Sequence, residues 1–185
     1  MEQLGAAPVI YRIGGAYFVR ALKESDLSGP YPSWFEDQDA CKYNSHGKYP
    51  RTEAYFRAFY KSLDGGDQIV WAICHDVDGH IGNVSLQAIS SINRTAEFAI
   101  LLGDQRHWNK GVGKMAGAKI IAHAFDKLNL HRVYCGTAAT NEGMRKLALA
   151  LRFQEEGCRR AHLFLDGAWV DSIEYGLLRS DVRVG

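Results

Sequence analysis

Apolar and polar positions divide the chain into short periodic runs separated by glycine, proline and Asp-Gly punctuation. Residues 17–22 read as a strand, and 23–38 as a helix interrupted at Gly29, Pro30 and Pro32. Residues 41–51 form a polar and aromatic loop. Thr52 caps a helix over 52–63, and Asp64-Gly65-Gly66 ends it. Residues 69–74 are nearly all apolar, the pattern of a strand buried on both faces. Asp78-Gly79 is a hairpin turn, beyond which Asn83, Ser85 and Gln87 alternate with Val84, Leu86 and Ala88 as a half-buried strand. Asn93-Arg94 turns into an apolar strand over 95–102. There follow an amphipathic helix over 114–128, a strand over 130–135, a second helix opened by a polar cap at 140–141, and two final strands joined by Asp166-Gly167.

This alternation, without repeats or low-complexity linkers, predicts one α/β (α+β) domain over residues 1–185, long enough for a sizeable core. No apolar stretch approaches the ~20 residues of a membrane span. Residues 1–10 lack a basic start followed by an apolar run, so a cytoplasmic protein is expected. The four cysteines are scattered without C-x-x-C, which favours buried thiols over disulfides or zinc. The seven histidines are also dispersed, and no metal is expected. A net charge of +1 argues against a broad nucleic-acid footprint.

The chemistry is concentrated in Trp108-Asn109-Lys110-Gly111-Val112-Gly113-Lys114, between the 95–102 strand and the following helix. Two glycines one residue apart at a strand-to-helix crossover let backbone N–H groups converge at the positive end of a helix dipole, which suits phosphate or pyrophosphate. A Walker loop needs Gly at position 108 and Ser or Thr at 115, where the chain has Trp108 and Met115. Gly111, Gly113 and Ala116 spell the dinucleotide pattern G-x-G-x-x-A, but the acidic residue expected at the end of the next strand is missing from residues 133–137. The third pattern, Q/R-x-x-G-x-G/A, matches at both glycines, with Trp108 in place of the leading Gln or Arg.

That third pattern belongs to the GNAT acetyltransferases, and the flanking residues resemble the RimJ/RimL-like branch of that superfamily. Its members show W-G-K-G-x-A at the loop, then N-x-x-S, L-G-F-x-x-E-G and D-x-x-x-Y-x-L-L. Here those positions hold residues 108–113, Asn141 with Met144, residues 151–157, and Asp171, Tyr175, Leu177 and Leu178. The resemblance covers roughly residues 18–178. Departures are Met144 for Ser, Ala148 where many members have an acid Tyr, and Arg152 for Gly.

The resemblance implies a GNAT fold: a central mixed, mostly antiparallel sheet, helices on both faces, and strands that splay around the acetyl-CoA loop. It implies acetyl-CoA as cosubstrate, with Lys110, Gly111, Val112, Gly113 and Lys114 around the pyrophosphate, Arg106 adding charge, and Asn141 on the pantetheine arm. A free backbone N–H from Ile100, Leu101 or Leu102 would polarise the thioester carbonyl, with Leu101 the catalytic choice and Leu102 a further cofactor contact. Glu97, on an alternating strand among apolar neighbours, is the candidate base that takes the ammonium proton. Ala148 leaves the acid unassigned, with Tyr134 and Tyr175 as other tyrosines within reach. Cys135 reads as a buried thiol.

The acceptor is a small-molecule amine. Trp34, Tyr43 and His46 lie where this fold builds its acceptor wall, in a segment loosely resembling bacterial amino-sugar-nucleotide N-acetyltransferases. The implied acceptor is therefore an amino-sugar nucleotide. Alternatives are a protein N-terminus, as in ribosomal-protein acetylation, and an idle acyl-CoA-binding module. Phe164, Trp169 and Val170 permit a homodimer edge.

Overall fold

The computed structural model describes residues 10–44 and 46–182, residue 46 by its backbone only. The leader reading of residues 1–10 and the side-chain role of His46 thus fall on or beyond these limits.

An eight-stranded sheet with order β1-β2-β3-β4-β5-β6-β8-β7 dominates the described residues. It comprises β1 Ile10–Gly14, β2 Tyr17–Ala21, β3 Ile69–His75, β4 Gly79–Ser90, β5 Thr95–Leu102, β6 Arg132–Ala138, β7 Gln154–Leu165 and β8 Ala168–Leu178. Each neighbouring pair is antiparallel except β5 and β6, which are parallel and joined through α2, Val112–Asp126. That crossover supplies the covering helix a parallel connection needs. The remaining helices are α1 Glu53–Ser62, α3 Glu142–Ala150 and the short α4 Arg179–Val182. None of the described helices is long and apolar enough to cross a membrane.

Strand alternation sends apolar side chains to two cores. On one face Trp71, Ile73, Val84, Phe98 and Val133 pack against Val112, Ala116, Ile120 and Ala124 of α2. On the other, Val70, Ala72 and Cys74 meet Phe56 of α1 together with Leu27, Tyr31 and Trp34. Half-buried Arg20 and buried Asp26 join this second layer through paired contacts of 2.7 Å.

Several sequence expectations need correction. The helix expected over 23–38 is two 3-10 turns, Glu24–Ser28 and Pro32–Phe35, because Gly29, Pro30 and Pro32 interrupt the hydrogen-bond ladder. Strand β1 was not anticipated, since Arg12 and Gly14 break its apolar pattern. Strand β4 is buried over most of its length, including Asn83 and Ser85, because both faces of this central strand are covered. The cap is as read: Thr52 Oγ1 accepts from Tyr55 N at 3.3 Å. Asp166-Gly167 turns the β7–β8 hairpin, with Leu165 opposite Ala168.

Candidate active site

Strands β5 and β6 share only three rungs: Thr95 with Arg132, Ala96 with Val133, and Glu97 with Tyr134. Both strands continue, β5 to Leu102 and β6 to Ala138. From Phe98 onward no strand pairs with β5 on its β6 side, although β4 still pairs on the other, Leu101 with Asn83 and Leu102 with Gly82. The sheet therefore opens into a wedge, and backbone groups of residues 98–102 line one side of it. At its far end β6 runs into α3, whose N-cap Asn141 accepts from Met144 N at 3.1 Å through Oδ1. With Oδ1 engaged as the cap, the side-chain nitrogen of Asn141 is a donor.

The segment between β5 and α2 closes the same end. Trp108 replaces a polar residue at the head of the loop, and its indole Nε1 donates to Leu102 O at 2.7 Å, fixing the loop to the strand. Asn109 and Gly111 have positive φ, 59° and 75°, and Gly111 is the N-cap of α2. Gly111 needs this conformation, and no heavy atom would crowd an added Cβ there. The first helical bond runs from Met115 N to Gly111 O, 3.1 Å. The amides of Val112, Gly113 and Lys114 consequently have no partner within the helix and point out of its positive end. Three convergent N–H groups beside an open wedge can hold a pyrophosphate, with the rest of the molecule along the wedge.

Among the cations expected here, Lys110 and Lys114 are exposed at the loop and make no ion pair among the described residues. Arg106 differs. Its exposed guanidinium bridges Asp104 at 2.6 Å and Asp78 at 3.2 Å. These two carboxylates already engage the group expected to add charge at the phosphates.

Glu97, half-buried, lies on the face opposite α2, paired with Gln87 and Tyr134. Burial first, then the neighbouring Glu174 carboxylate, holds its carboxyl above the usual range, with Arg159 acting the other way. Glu174 is two strands over, opposite Gly136 of β6. A Cβ at Gly136 would sit only 3.0 Å from Glu174 Oε1, so the missing side chain makes room for that carboxylate to lean toward Glu97. Ser172 Oγ donates to Glu174 at 2.8 Å, and Arg159 donates to it at 3.0 Å. The sequence reading missed Glu174. Alternation along the last strand was legible, but the placement of β8 beside β6 was not.

Beside these residues a cleft opens over β4 and β5. Asn83, Ser85 and Gln87 give it a polar floor, and Tyr31, Phe35, Tyr55 and Phe59 an aromatic wall. Trp34 is not part of that wall. It is 5% exposed, with its ring against Gly103, where an added Cβ would lie 2.0 Å from a ring atom, and edge-on to His80 at 4.9 Å. A core position replaces the expected acceptor contact. Tyr43 is half-buried under Lys42, 5.5 Å from ring centroid to Nζ, and does not line the cleft. Of the tyrosines weighed as acids, Tyr175 is buried on the α2 face and accepts from Arg145 at 3.3 Å. Tyr134 shares the rung and face of Glu97. Ala148 is fully buried. Burial pushes the Cys135 thiol up to about 12, with Glu97 and Glu174 adding to the effect, as befits an inert core thiol.

A wedge-shaped gap in a sheet, a helix start with free amides at its mouth and a half-buried carboxylate at its apex suit an acyl-CoA-dependent transferase. Residues 17–154 match the family described as Acetyltransferase (GNAT) domain. The chain belongs to this family and is an N-acetyltransferase; GNAT enzymes use acetyl-CoA as their cosubstrate. Two Bacillus subtilis (strain 168) proteins are similar to it. One, named uncharacterized N-acetyltransferase YoaA, is 27% identical over 125 residues, 67% of this chain and 68% of that protein. The other, named putative ribosomal N-acetyltransferase YdaF, is 33% identical over 105 residues, 56% of this chain and 57% of that protein. Among solved structures, spermidine N-acetyltransferase from Vibrio cholerae in complex with CoA and spermine superimposes with TM-score 0.82 at 24% identity, covering 91% of this chain and 98% of that one. At that identity the likeness speaks to the fold.

Proposed function

We propose that this enzyme transfers the acetyl group of acetyl-CoA to the primary amine of a small cationic acceptor, with Glu97 as general base. One observation carries the reading. Glu97 sits where β5 and β6 part, its carboxyl raised by burial and by Glu174, beside a cleft that admits an acceptor. An ammonium entering this face meets Glu97 and, beyond it, Glu174, whose charge Arg159 offsets in part. The unpaired Glu97 takes its proton, and the freed amine attacks the thioester carbonyl from the wedge. A backbone N–H in residues 100–102, with Leu101 preferred, stabilises the oxyanion. The pyrophosphate lies on the amides of Val112, Gly113 and Lys114, and Asn141 donates to the pantetheine arm.

The acceptor class follows from charge. Glu97 and Glu174 favour a cation and disfavour a phosphate-bearing acceptor near the reacting carbon. The expected amino-sugar nucleotide drew in part on Trp34 as a member of the acceptor wall, and that ring packs against Gly103. The similar Vibrio cholerae structure contains spermine, a polyamine of the charge class proposed here. Initial rates of CoA release with aliphatic diamines and polyamines, amino-sugar nucleotides and short peptides test the reading. The polyamines should give the highest kcat/KM, with a rate that falls as salt rises. Preference for peptide N-termini would replace the reading with protein acetylation. Preference for a sugar nucleotide would restore the amino-sugar-nucleotide reading.

A further inference from the structure

We propose that His75, Asp78 and His107 form a binding site for a divalent transition-metal ion of the zinc class, at the sheet edge that leads into the pyrophosphate loop. The donors come from three places: the last residue of β3, the β3–β4 turn, and the 3-10 turn Gln105–His107. One ligand atom from each lies within 4.8 Å of the other two. Asp78 Oδ2 is 2.7 Å from His75 Nδ1 and 3.3 Å from His107 Nε2. A tetrahedral ion with bonds of ~2.0–2.1 Å holds its ligand atoms roughly 3.3 Å apart, so small side-chain rotations complete the set.

Two details favour a ligand over a plain hydrogen-bond cluster. His107 has a side chain only 4% exposed, and its Nε2 is buried with no hydrogen-bond partner. Its other nitrogen, Nδ1, lies 3.0 Å from Tyr17 Oη. With Nδ1–H donating to Tyr17, the Nε2 lone pair points at Asp78, the arrangement that metal-bound histidines use. At His75, Nδ1 lies 2.7 Å from Asp78 Oδ2 and 3.3 Å from the Asp78 amide nitrogen, so a second imidazole faces the same carboxylate. A cation taking the place of the proton shared by His75 and Asp78 would join all three donors.

The surrounding charge agrees. Asp104 Oδ2 is 3.9 Å from His107 Nε2, and Arg106 offsets one of the two carboxylates. One net negative charge remains for the ion. Two imidazoles with one carboxylate suit zinc, cobalt or nickel; calcium and magnesium prefer all-oxygen shells. Bound there, the ion would clamp the β3–β4 turn to the segment whose next residue, Trp108, holds β5 and opens the loop. No step of acetyl transfer passes through it.

The test uses full-length protein stripped with a chelator and titrated with Co²⁺ or Zn²⁺, with Mg²⁺ as control. Expected are one equivalent bound, visible cobalt bands without thiolate charge transfer, and an unfolding temperature raised by Zn²⁺ or Co²⁺ but not by Mg²⁺. His75→Ala and Asp78→Asn, at half-exposed positions, should weaken binding by roughly tenfold or more, with circular dichroism reporting an unchanged fold. His107→Gln, at the buried position, should do the same. Absence of stoichiometric binding, equal binding by folded variants, or cobalt–thiolate bands would overturn the proposal.

Discussion

Glu97 and Tyr134 face each other on the last rung that β5 and β6 share. Everything beyond that rung is wedge, so under the proposed mechanism the pairing would set where acetyl-CoA enters the sheet and which carboxylate lies nearest its acyl end. Local sequence sets up the strands on either side, but the rung at which they part is a tertiary property.

Gly113→Val separates cofactor binding from folding. A Cβ at Gly113 would meet Leu147 and Ile100 at 3.5 and 3.7 Å, ordinary contact, so the protein tolerates the start of a side chain there. The branched side chain nevertheless crowds the amides proposed for the pyrophosphate. Calorimetry should show CoA affinity falling by about tenfold or more, equivalent to ~1.4 kcal/mol. A folded variant with unchanged affinity removes the loop from cofactor binding.

Arg106→Ala should leave CoA affinity near that of the wild type, because Asp104 and Asp78 already hold the guanidinium. A loss comparable with that of Gly113→Val would return Arg106 to the phosphate site.

Trp34→Ala is a stability variant. Removing this buried ring should cost about 3–5 kcal/mol in urea unfolding, without a selective rise in acceptor KM. Gly103→Ala should also destabilise, since its Cβ would overlap the Trp34 ring. A stable Trp34→Ala protein whose only defect is a raised acceptor KM would put the ring back in the acceptor wall.

The local part of the site was legible from the chain. The apolar 95–102 strand, the Gly111–Gly113 loop and the Asn141 cap each depend on residues close in sequence. What escaped reading is nonlocal. Trp34 belongs to the core because Gly103, far along the chain, leaves it room. Glu174 approaches Glu97 only because β8 inserts between β6 and β7. The histidines of the proposed metal site are similarly distant in sequence, as His107 joins His75 and Asp78 only through the fold.

Arg20 and Asp26 predict a pH dependence of stability. Burial pushes the Asp26 carboxyl up, but its bonds from Arg20 and the Lys23 amide outweigh that and hold it below the usual range. The folded pKa is therefore lower than the unfolded one of ~3.9. The pair's contribution is full above the unfolded value and disappears as pH falls through the folded value. Asp26→Asn should lose about 3–5 kcal/mol at neutral pH, the scale for breaking a buried pair, and the deficit should shrink in acid. An equal deficit at all pH values would contradict the assignment.

Glu97 shows the opposite sign. Its folded carboxyl is raised, so the ionised form costs stability as pH rises above the unfolded range, and Glu97→Gln should unfold at a higher temperature near neutrality. That gain should fade in acid, where the wild-type carboxyl is protonated in both states. A lower unfolding temperature at neutral pH would mean that the charge is compensated.

The pH–rate profile of Glu97→Gln against wild type, with CoA affinity measured alongside, tests the central claim most directly. A positioned base contributes about two to four orders of magnitude. Turnover should fall by that amount, CoA should bind as before, and the acidic limb of kcat/KM should vanish. Near-normal turnover with the same limb would show that another group takes the acceptor's proton.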